Sequence, residues 1–507
     1  MYIDDSGEIW DATLNQTNSG ANNNKFYLIQ VLVSPGTGDC GAWTRWGRVG
    51  EHGQSAMLGD GSLENAQSEF QKKFKSKSGL AWSDRLKPAK PNKYAFLERN
   101  YEESDDEDEE LDKGSKKQKK EKKEKKEEDE EEKEEEEVES SLSAPIQNLM
   151  SFIFNRDHFV SVMASMSYDA QKLPLGKLSK RTLQEGFRLL KELSELIDKP
   201  STAQATHNMS YMAAVEHLSN RYFTTIPHVF GRNKPPVLQN DQLLKKECEL
   251  LETLTDMGVT NEIMKGPKEK EKIHEIDRQF NSLGLQEMTV VQPKTAEYKE
   301  LESYLYGSQG RTHHLKYKVE SIFRIERPEE ERRRSETYDN IPVSDRRLLW
   351  HGSRSTNYGG ILSQGLRIAP PEAPVSGYMF GKGVYFADMS SKSAGYCWSF
   401  SSGNMGLLLL CDVELGYPMY EQKSANSNAA KDSKDAGSLA TLGCGRTVPV
   451  GWKDAGCVHP TLEGVRMPDV TESTSEPYGD RSLQYNEYIV YDVKQIQQRY
   501  LLHVRIH

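Results

Sequence analysis

Three segments in the C-terminal third of the chain combine residue types that could bind and activate a polar substrate. Leu348–Ser353 (LLWHGS) is predicted to be a strand that runs into a glycine, and it carries His351. Gly377–Asp388 (GYMFGKGVYFAD) is a glycine-hinged loop that enters a strand, and in Tyr485–Tyr491 (YNEYIVY) Glu487 opens a further strand. An imidazole, tyrosine hydroxyls and a carboxylate held at strand ends can position a substrate and accept its proton.

Each of these residues also has an ordinary structural explanation. Tyr385, next to a phenylalanine, is typical of a core aromatic residue. His351 could be a hydrogen-bonded histidine at a strand end, and Glu487 could be a solvated strand cap. The three residues nevertheless occur in a long ordered pattern, with Ser393 and Tyr396 following the second segment, and this joint occurrence favours a functional site.

The three segments closely resemble those of a poly(ADP-ribose) polymerase of the DNA-damage-responsive kind. The family's His–Tyr–Glu triad falls on His351, Tyr385 and Glu487. The resemblance covers nearly the whole chain and implies a multidomain α+β fold. Its expected parts are a small α/β WGR module at 1–100, a disordered charged linker at 101–140, an all-α helical regulatory bundle at 141–280 and a mainly β ADP-ribosyltransferase domain at 281–507.

The resemblance implies that NAD+ is the substrate and that no metal takes part. The backbone N–H and C=O of Gly352, joined by the Ser393 hydroxyl, would hold the nicotinamide amide, and glycine suits such a close backbone approach. Tyr385 and Tyr396 offer flat faces for stacking on the nicotinamide ring. His351 would hydrogen-bond a ribose hydroxyl. The other NAD+ contacts expected from the family are Ser353, Asn357, Gly365, Arg367 and Tyr378.

Glu487 is the residue on which polymer formation is expected to depend. Cleavage of the nicotinamide–ribose bond develops positive charge on the ribose. A carboxylate beside that ribose can stabilise the charge, orient an incoming 2′-hydroxyl and remove its proton. Family members that lack this glutamate generally transfer a single unit, and Lys392 would orient the acceptor or the pyrophosphate. Two alternatives stay open: a mono-ADP-ribosyltransferase on the same scaffold and a catalytically silent DNA-end-binding scaffold.

Composition indicates a soluble intracellular protein with folded domains and one solvated segment. Of 507 residues, 36% are hydrophobic and 28% are charged, and the formal net charge is −11, an average that leaves room for a local basic surface. The six cysteines form no CxxC pair, which disfavours a structural zinc site. A signal peptide is missing and no apolar run approaches the roughly 20 residues that span a bilayer, so no membrane partner is expected.

A charge run separates the first part of the chain from the second. Every residue from 119 to 137 is Lys, Glu or Asp, so no apolar side chain could anchor this segment to a core. Lys116–Lys126 is either a nuclear localisation signal or plain solubilising sequence, and the resemblance implies the nucleus. Acceptors implied by the family are proteins such as histones and the chain itself, where Ser104 and Ser115 stand in this linker, with an accessory factor at the acceptor site left open.

The segment before the linker is predicted to be a compact module that binds damaged DNA at nicks or ends. Lys25–Pro35 and Ala42–Gly50 are predicted strands, and Glu64–Lys77 is a predicted helix. Cations beside aromatic rings suit the phosphates and unstacked bases of a break. The residues expected to contact DNA are Asn24, Trp43, Arg45, Trp46, Arg48 and Lys72. One of the two tryptophans is instead expected in the core of the module.

Between 146 and 278 the apolar periodicity predicts a helical bundle. Glu249, Glu252 and Asp256 lie at i, i+3 and i+7 on one of its helices, opposite the leucines. A solvated helix face would explain such an acidic stripe. The family resemblance implies instead that the bundle restrains access to the NAD+ site until DNA binding loosens it. The resulting hypothesis is that deletion of Pro145–Arg278 yields a DNA-independent transferase.

Overall fold

A computed structural model of the chain describes residues 1–99, 139–168, 178–265, 273–375, 377–472, 474–475 and 479–507. The predicted charged linker at 101–140, with its lysine-rich stretch, lies outside these residues apart from its last two positions. The described residues form three parts in the predicted order: a small sheet with one long helix, a group of helices, and a domain built on two main sheets. The predicted multidomain α+β fold class is confirmed.

The N-terminal part is a five-stranded sheet covered on one face by a helix. Its strands, in the spatial order β4-β3-β2-β1-β5, are β1 (Asp11–Asn18), β2 (Asn23–Val33), β3 (Cys40–Arg48), β4 (Gln54–Gly61) and β5 (Ala95–Leu97). Helix α1 (Leu63–Ser78) begins at Ser62, whose side chain accepts a backbone N–H of the first turn, and ends at Gly79 with φ +75°. Phe70 and Phe74 form the apolar stripe that packs on the sheet, as their spacing predicts.

The second part contains seven helices within the described residues. They are α2 (Ala144–Ile153), α3 (Arg156–Ser165), α4 (Lys180–Asp198), α5 (Thr202–His207), α6 (Tyr211–Thr225), α7 (Asp241–Lys265) and α8 (Glu275–Ser282). Helices α3 to α7 share one apolar core. Leu149, Met150 and Ile153 of α2 are instead buried in the core of the C-terminal domain, and Ile276 and Phe280 of α8 pack against that same core. By packing, α2 and α8 therefore belong to the C-terminal domain.

The C-terminal part is built on two main sheets with short helices around them. Its strands are β6 (Glu287–Val290), β7 (Tyr317–Glu326), β8 (Arg346–Ser353), β9 (Val384–Phe386), β10 (Met405–Glu414), β11 (Tyr420–Gln422), β12 (Ala440–Gly443), β13 (Gly445–Thr447), β14 (Trp452–Asp454), β15 (Arg466–Pro468), β16 (Leu483–Tyr485), β17 (Glu487–Val490) and β18 (Ile496–Ile506). Its helices are α9 (Ala296–Gly307), α10 (Glu330–Tyr338), α11 (Tyr358–Gln364), α12 (Ser390–Ala394) and α13 (Ala429–Asp435). The sheets have the orders β14-β15-β8-β10-β18-β7-β6 and β11-β12-β17-β9, and β13 pairs with β16.

Strand pairing brings the three chemically interesting segments to one place. At the end of the first segment, Trp350 of β8 exchanges two backbone hydrogen bonds of 2.8 and 2.9 Å with Ala387, the residue after β9. Strand β17, which begins at Glu487, pairs antiparallel with β9 so that Ile489 lies opposite Tyr385. Because β8 belongs to one sheet and β9 and β17 to the other, the site lies where the two sheets meet.

Two absences hold for the part of the chain that the structure describes. No helix there is long and apolar enough to cross a bilayer. No group of three or more His, Cys, Asp or Glu side chains there is arranged to hold a metal ion. All six cysteines are free thiols, and four of them are buried.

Candidate active site

His351 lies near the end of β8 with its ring held in one orientation. Its Nδ1 atom is 2.9 Å from the carbonyl oxygen of Tyr385, an acceptor, so Nδ1 carries the ring proton. Burial lowers the pKa of His351 below its ordinary value, which keeps the ring neutral at neutral pH. The second nitrogen, Nε2, is therefore a hydrogen-bond acceptor suited to a hydroxyl group.

Gly352 occupies a position that no other residue can fill. A Cβ atom on Gly352 would lie 1.9 Å from the carbonyl oxygen of Ser393, far inside van der Waals contact. Ser393, on α12, donates its hydroxyl to the Trp350 carbonyl at 3.1 Å. The backbone of Gly352 and the Ser393 hydroxyl therefore lie side by side, and an amide bound there would take the Ser393 O–H from the Trp350 carbonyl.

Tyr385 and Tyr396 present two aromatic rings in different settings. The Tyr385 hydroxyl donates to the Gly381 carbonyl at 2.7 Å and accepts the Phe380 N–H at 3.0 Å, which fixes the ring against the loop before β9. Burial raises the pKa of Tyr385, so its hydroxyl stays protonated. Tyr396 is 48% exposed, which leaves its ring free to stack on a planar group.

Glu487 is a buried carboxylate with one oxygen occupied and one without a partner. It is 8% exposed at the start of β17. Its Oε1 atom lies 2.9 Å from the ammonium of Lys392, which also donates to the Tyr485 carbonyl at 2.9 Å. Its Oε2 atom is buried and has no hydrogen-bond partner. Burial lowers the pKa of Lys392, and the Glu487 carboxylate opposes this shift.

The sequence did not single out Asp388, although it ends the second segment. Asp388 is fully buried, and its Oδ2 atom accepts hydrogen bonds from the Asn486 amide at 2.8 Å and the Tyr488 hydroxyl at 2.9 Å. These two residues flank Glu487 along the chain. Burial raises the pKa of Asp388. Asp388 thus fixes both neighbours of Glu487, and its place in the long motif was the only available signal.

Helix α7 closes one side of the site with the predicted acidic stripe. Tyr378 donates its hydroxyl to Glu252, and Arg367 forms a hydrogen-bonded ion pair with Asp256. Burial raises the pKa of Glu252 to about 7 and also raises the pKa of Asp256, while the Tyr378 hydroxyl and the Arg367 guanidinium oppose these shifts. Two of the three acids of the stripe therefore bond to residues across the cavity, which favours the restraint explanation over a solvated face.

Arg354 is a further residue of the site that the sequence did not reveal. It is 6% exposed, and its guanidinium lies over the Trp398 ring at 4.2 Å from the centroid. Burial lowers the pKa of Arg354 to about 10, and the Glu249 carboxylate opposes this shift. One terminal nitrogen has no hydrogen-bond partner. The two groups beside it, Trp398 and Glu249 of α7, lie far from Arg354 in the sequence. No local sequence pattern could therefore predict that this cation is buried.

These groups surround a single cavity of about 980 Å3. All of the predicted catalytic, NAD+-binding and regulatory residues line it, namely Glu249, Glu252, Asp256, His351, Gly352, Ser353, Asn357, Gly365, Arg367, Tyr378, Tyr385, Lys392, Ser393, Tyr396 and Glu487. Within it the Asn357 amide donates to the Ser353 hydroxyl at 3.0 Å. Such a volume suits a ligand of dinucleotide size.

The predicted DNA-binding residues of the N-terminal sheet are divided among different surfaces. Trp46 stacks on Tyr27 with ring centroids 5.8 Å apart and packs against the core under α1, so the expected core tryptophan is Trp46. Trp43 and Arg45 alternate with Trp46 along β3, so their side chains point to the other face. Lys72 stands on α1, 66% exposed and 2.9 Å from Glu69, on the opposite side of the sheet from Arg45.

Asn24 requires a correction, and Arg48 has partners within the protein. The Asn24 side chain is fully buried and donates to the His228 carbonyl at 2.8 Å, so in this conformation it cannot touch DNA. The Arg48 guanidinium donates to the carbonyls of Gly231 and Asn233 in the helical part. Both side chains hold the N-terminal module to the helices. For Asn24, residue type predicted a polar contact, but the partner is a backbone carbonyl and not DNA; the DNA contact of Arg48 stays a prediction.

Comparison with known proteins agrees with this geometry. Family models match the poly(ADP-ribose) polymerase catalytic domain at 295–506, the poly(ADP-ribose) polymerase regulatory domain at 140–280 and the WGR domain at 10–89. The chain is 39% identical to poly [ADP-ribose] polymerase 2-A of Oryza sativa subsp. japonica over 504 residues, covering 98% of this chain and 70% of the relative. It is 36% identical to the human poly [ADP-ribose] polymerase 2, covering 99% and 80%. It is also 36% identical to the poly [ADP-ribose] polymerase 1 of Gallus gallus, covering 98% and 45%. The chain therefore belongs to the poly(ADP-ribose) polymerases, enzymes that transfer ADP-ribose from NAD+.

Proposed function

We propose that this chain is stimulated by DNA breaks in the nucleus, attaches ADP-ribose from NAD+ to protein side chains and extends it into poly(ADP-ribose). One observation carries the catalytic part of the proposal. His351, Tyr385 and Glu487 line one cavity, and Glu487 presents a buried oxygen without a partner. A buried carboxylate oxygen that nothing satisfies is costly unless a substrate group meets it.

His351, Gly352, Ser393 and two tyrosines are the groups proposed to hold the nicotinamide end of NAD+. The neutral His351 ring offers Nε2 to a ribose hydroxyl, because its Nδ1 proton is committed to Tyr385. Gly352 and Ser393 offer complementary groups to the carboxamide of nicotinamide. Tyr385 and Tyr396 would enclose the nicotinamide ring between aromatic surfaces.

Transfer then exchanges one bond at the ribose for another. The bond between the ribose C1′ and the nicotinamide nitrogen breaks, and its electron pair leaves with nicotinamide. An acceptor oxygen forms the new bond to C1′, and its proton passes to a base. Glu487 is placed to stabilise the positive ribose and to take that proton when the acceptor is a 2′-hydroxyl of a growing chain. Lys392, 2.9 Å away, holds the carboxylate in position for this role.

Helix α7 is the element proposed to restrain the enzyme. Asp256 occupies the guanidinium of Arg367, and Glu252 occupies the hydroxyl of Tyr378. Both cavity-side partners are proposed NAD+ contacts, so α7 competes with the substrate for them. Acidic side chains in the cavity would also repel the pyrophosphate of NAD+. Opening therefore requires α7 to move away.

The N-terminal module is proposed to control α7 indirectly, through its hydrogen bonds to the end of α6 and to the segment that follows it. Asn15 and Thr17 of β1 bond to the carbonyls of Phe223 and Thr224 at the end of α6, at 3.0 to 3.2 Å. Asn24 bonds to the His228 carbonyl. DNA at the Trp43 and Arg45 face of the sheet would pull on these contacts. Phosphate contacts carry no sequence information, which suits a sensor of breaks.

Histones and the chain's own linker are the proposed acceptors, and an accessory factor at the acceptor side of Glu487 is compatible with the open face of the cavity. Transfer of single units is the second candidate activity, and a silent DNA-end scaffold is the third. The intact set of cavity groups argues against the silent scaffold, and Glu487 argues against single-unit transfer.

The test is incubation of the full chain with labelled NAD+, with and without nicked DNA. Polymer is expected with nicked DNA, and Glu487→Ala should abolish elongation while keeping some attachment of single units. Loss of a base of this kind costs about 10²- to 10⁴-fold in rate. Glu421→Ala, which changes an exposed glutamate on β11, is the matched control and should leave polymer length unchanged. Long polymer from the Glu487→Ala protein would overturn the assignment.

A further inference from the structure

A second, much smaller cavity lies in the C-terminal domain away from the NAD+ site. Its volume is about 150 Å3, against about 980 Å3 for the NAD+ cavity. Five elements and one loop contribute to it: β6, β7, β8, α10, β18 and the turn at 459–461. The lining residues are Glu287, Arg324, Glu326, Glu331, Arg334, Arg346, His459, Thr461, Gln497 and Arg499. None of them lines the NAD+ cavity.

Three of the four arginines in this cavity are held by carboxylates. Arg324 pairs with Glu287 and Glu297 at 2.8 and 2.9 Å. Arg346 pairs with Asp412. Arg334 lies 3.1 Å from Asp339. These pairs keep the three guanidinium groups in place around the cavity without a bound ligand.

The fourth arginine of the cavity, Arg499, differs from the other three in its partners. It is 8% exposed, and among the described residues no carboxylate oxygen lies within 4.0 Å of its nitrogens. Its guanidinium donates to the Thr461 hydroxyl, and its Nε atom is buried without a hydrogen-bond partner. A buried cation with only a hydroxyl as partner is an unfavourable state unless an anion joins it.

Gln497, two residues earlier on β18, provides a second and independent observation. Its side chain is almost wholly buried, lines the same cavity, and its Nε2 atom has no acceptor among the described residues. An amide donor and a guanidinium without acceptors thus lie at one wall of a small cavity. Three glutamates also line the cavity: Glu287 is paired with Arg324, Glu326 is partly buried and Glu331 is exposed to water.

We propose that this cavity, here called the Arg499 pocket, binds a single phosphate group. A planar guanidinium matches the oxygens of phosphate in a two-bond geometry, and Arg499 is the arginine of this cavity that no carboxylate among the described residues neutralises. The volume admits a phosphate or pyrophosphate group, and a nucleoside attached to that group would have to lie outside the cavity, since pockets for molecules of that size are roughly 300 Å3 or more. A free inorganic phosphate ion and the pyrophosphate of an ADP-ribose unit share this chemistry. The proposal does not depend on the NAD+ reaction.

Calorimetric titration of the full chain with inorganic phosphate, pyrophosphate and ADP-ribose, in phosphate-free buffer, tests this. Wild type should bind at least one of them saturably, and Arg499→Gln should weaken that binding about tenfold or more, the effect of losing a charge-assisted hydrogen-bonded pair. Arg499→Lys should fall between the two because it keeps the charge but not the fork. Lys431→Gln, an exposed lysine paired with Asp435, should match wild type.

A comparison of the three ligands shows whether the pocket takes a free phosphate ion or the pyrophosphate of ADP-ribose. A loss confined to inorganic phosphate identifies a free-ion site, and a loss that extends to ADP-ribose identifies a site for a nucleotide-linked pyrophosphate. Thermal unfolding without ligand should show the Arg499→Gln protein folded. If that variant does not fold, the comparison of wild type with Arg499→Lys carries the test. Unsaturable binding by wild type, equal affinity in the folded Arg499 variants, or an equal loss in Lys431→Gln would overturn the proposal.

Discussion

The carboxylate of Glu487 works with one oxygen occupied and one available. Lys392 takes Oε1 at 2.9 Å, and Oε2 is buried without a hydrogen-bond partner. The lysine has two effects on the proposed base. Lys392 fixes the orientation of the Glu487 carboxylate and offsets the cost of burying the negative charge. Asp388 fixes the residues on either side. The base is therefore held by its neighbours before any substrate arrives.

Lys392 leads to a prediction about the alkaline side of the pH profile. Burial lowers the pKa of Lys392 below its ordinary 10.5, so as pH rises through that lowered pKa the ammonium is lost and the ion pair with Glu487 disappears. Turnover of NAD+ should therefore fall at a pH below 10.5. The arginine of the Lys392→Arg protein keeps its charge to above about pH 12. The pH at which the rate of this variant falls should therefore be about one unit or more higher than in wild type, even if its maximum rate is lower.

The measurement is the steady-state rate of nicotinamide release with saturating nicked DNA across the alkaline range. Lys431→Arg, an exposed lysine, is the matched control and should keep the wild-type limb. Identical limbs in wild type and Lys392→Arg would show that another group sets the alkaline loss.

At the scale of elements, α7 has two functional faces on one long helix. Leu250, Leu251, Leu254 and Met257 are buried in the core of the bundle. Glu252 and Asp256, on the cavity side, bond to residues more than 100 positions away in the chain. A helix that anchors one face in the bundle and presents acids to a substrate cavity can move only if the bundle itself loosens. The element thereby links bundle stability to access.

The buried carboxylate of Glu252 leads us to expect that opening of the NAD+ site depends on pH. Burial raises the pKa of Glu252 from 4.5 to about 7 in the closed arrangement, and exposure on opening would return it toward 4.5. The closed state therefore binds the extra proton, and raising the pH between these two values favours opening. The ratio of DNA-free to DNA-stimulated activity should rise with pH in that window, by at most about tenfold per pH unit for one proton.

Glu252→Gln tests this directly. Glutamine stays neutral and can still accept the Tyr378 hydroxyl, so the ratio should become flat with pH and stay low. Using the ratio removes the pH dependence of the chemistry itself. Glu195→Gln, which neutralises an exposed glutamate on α4, should keep the wild-type slope. A wild-type slope in the Glu252→Gln protein would mean that another group titrates with opening.

Elements also show where sequence reasoning succeeds and where it stops. The spacing of Phe70 and Phe74 predicted α1, and the ordered motif placed His351 and Glu487 at strand ends, because local periodicity and turn chemistry determine both. Contacts between residues far apart in the sequence could not be predicted. The acids of α7 look solvated until Tyr378 and Arg367 are brought to them by the fold, and nothing local distinguishes an arginine that binds DNA from one that binds backbone carbonyls.

At the scale of the whole molecule, the N-terminal sheet, the helices and the cavity form one connected series of contacts. Asn24 bonds to the His228 carbonyl, and the His228 ring bonds to Glu247 of α7 at 2.9 Å. Glu247 also accepts the Tyr222 hydroxyl of α6 at 2.9 Å. Five residues further along α7 stands Glu252, inside the NAD+ cavity. A displacement of the N-terminal module therefore has a short polar route to the restraining helix.

The packing of α2 changes how a deletion must be designed to test whether the helical bundle restrains the enzyme. Removing Pro145–Arg278 would also remove α2, whose Leu149, Met150 and Ile153 are buried in the catalytic core. Each such side chain contributes about 2–5 kcal/mol, against a total stability of about 5–15 kcal/mol, so that deletion should yield an unstable protein. Replacing only 156–265 by a flexible linker keeps α2 and α8 and should give a folded, DNA-independent polymerase. Thermal unfolding and polymer synthesis with and without nicked DNA compare the two deletions, with Glu195→Gln full-length protein as the DNA-dependent control. A folded 156–265 deletion that still needs DNA for activity would show that the restraint lies outside the bundle.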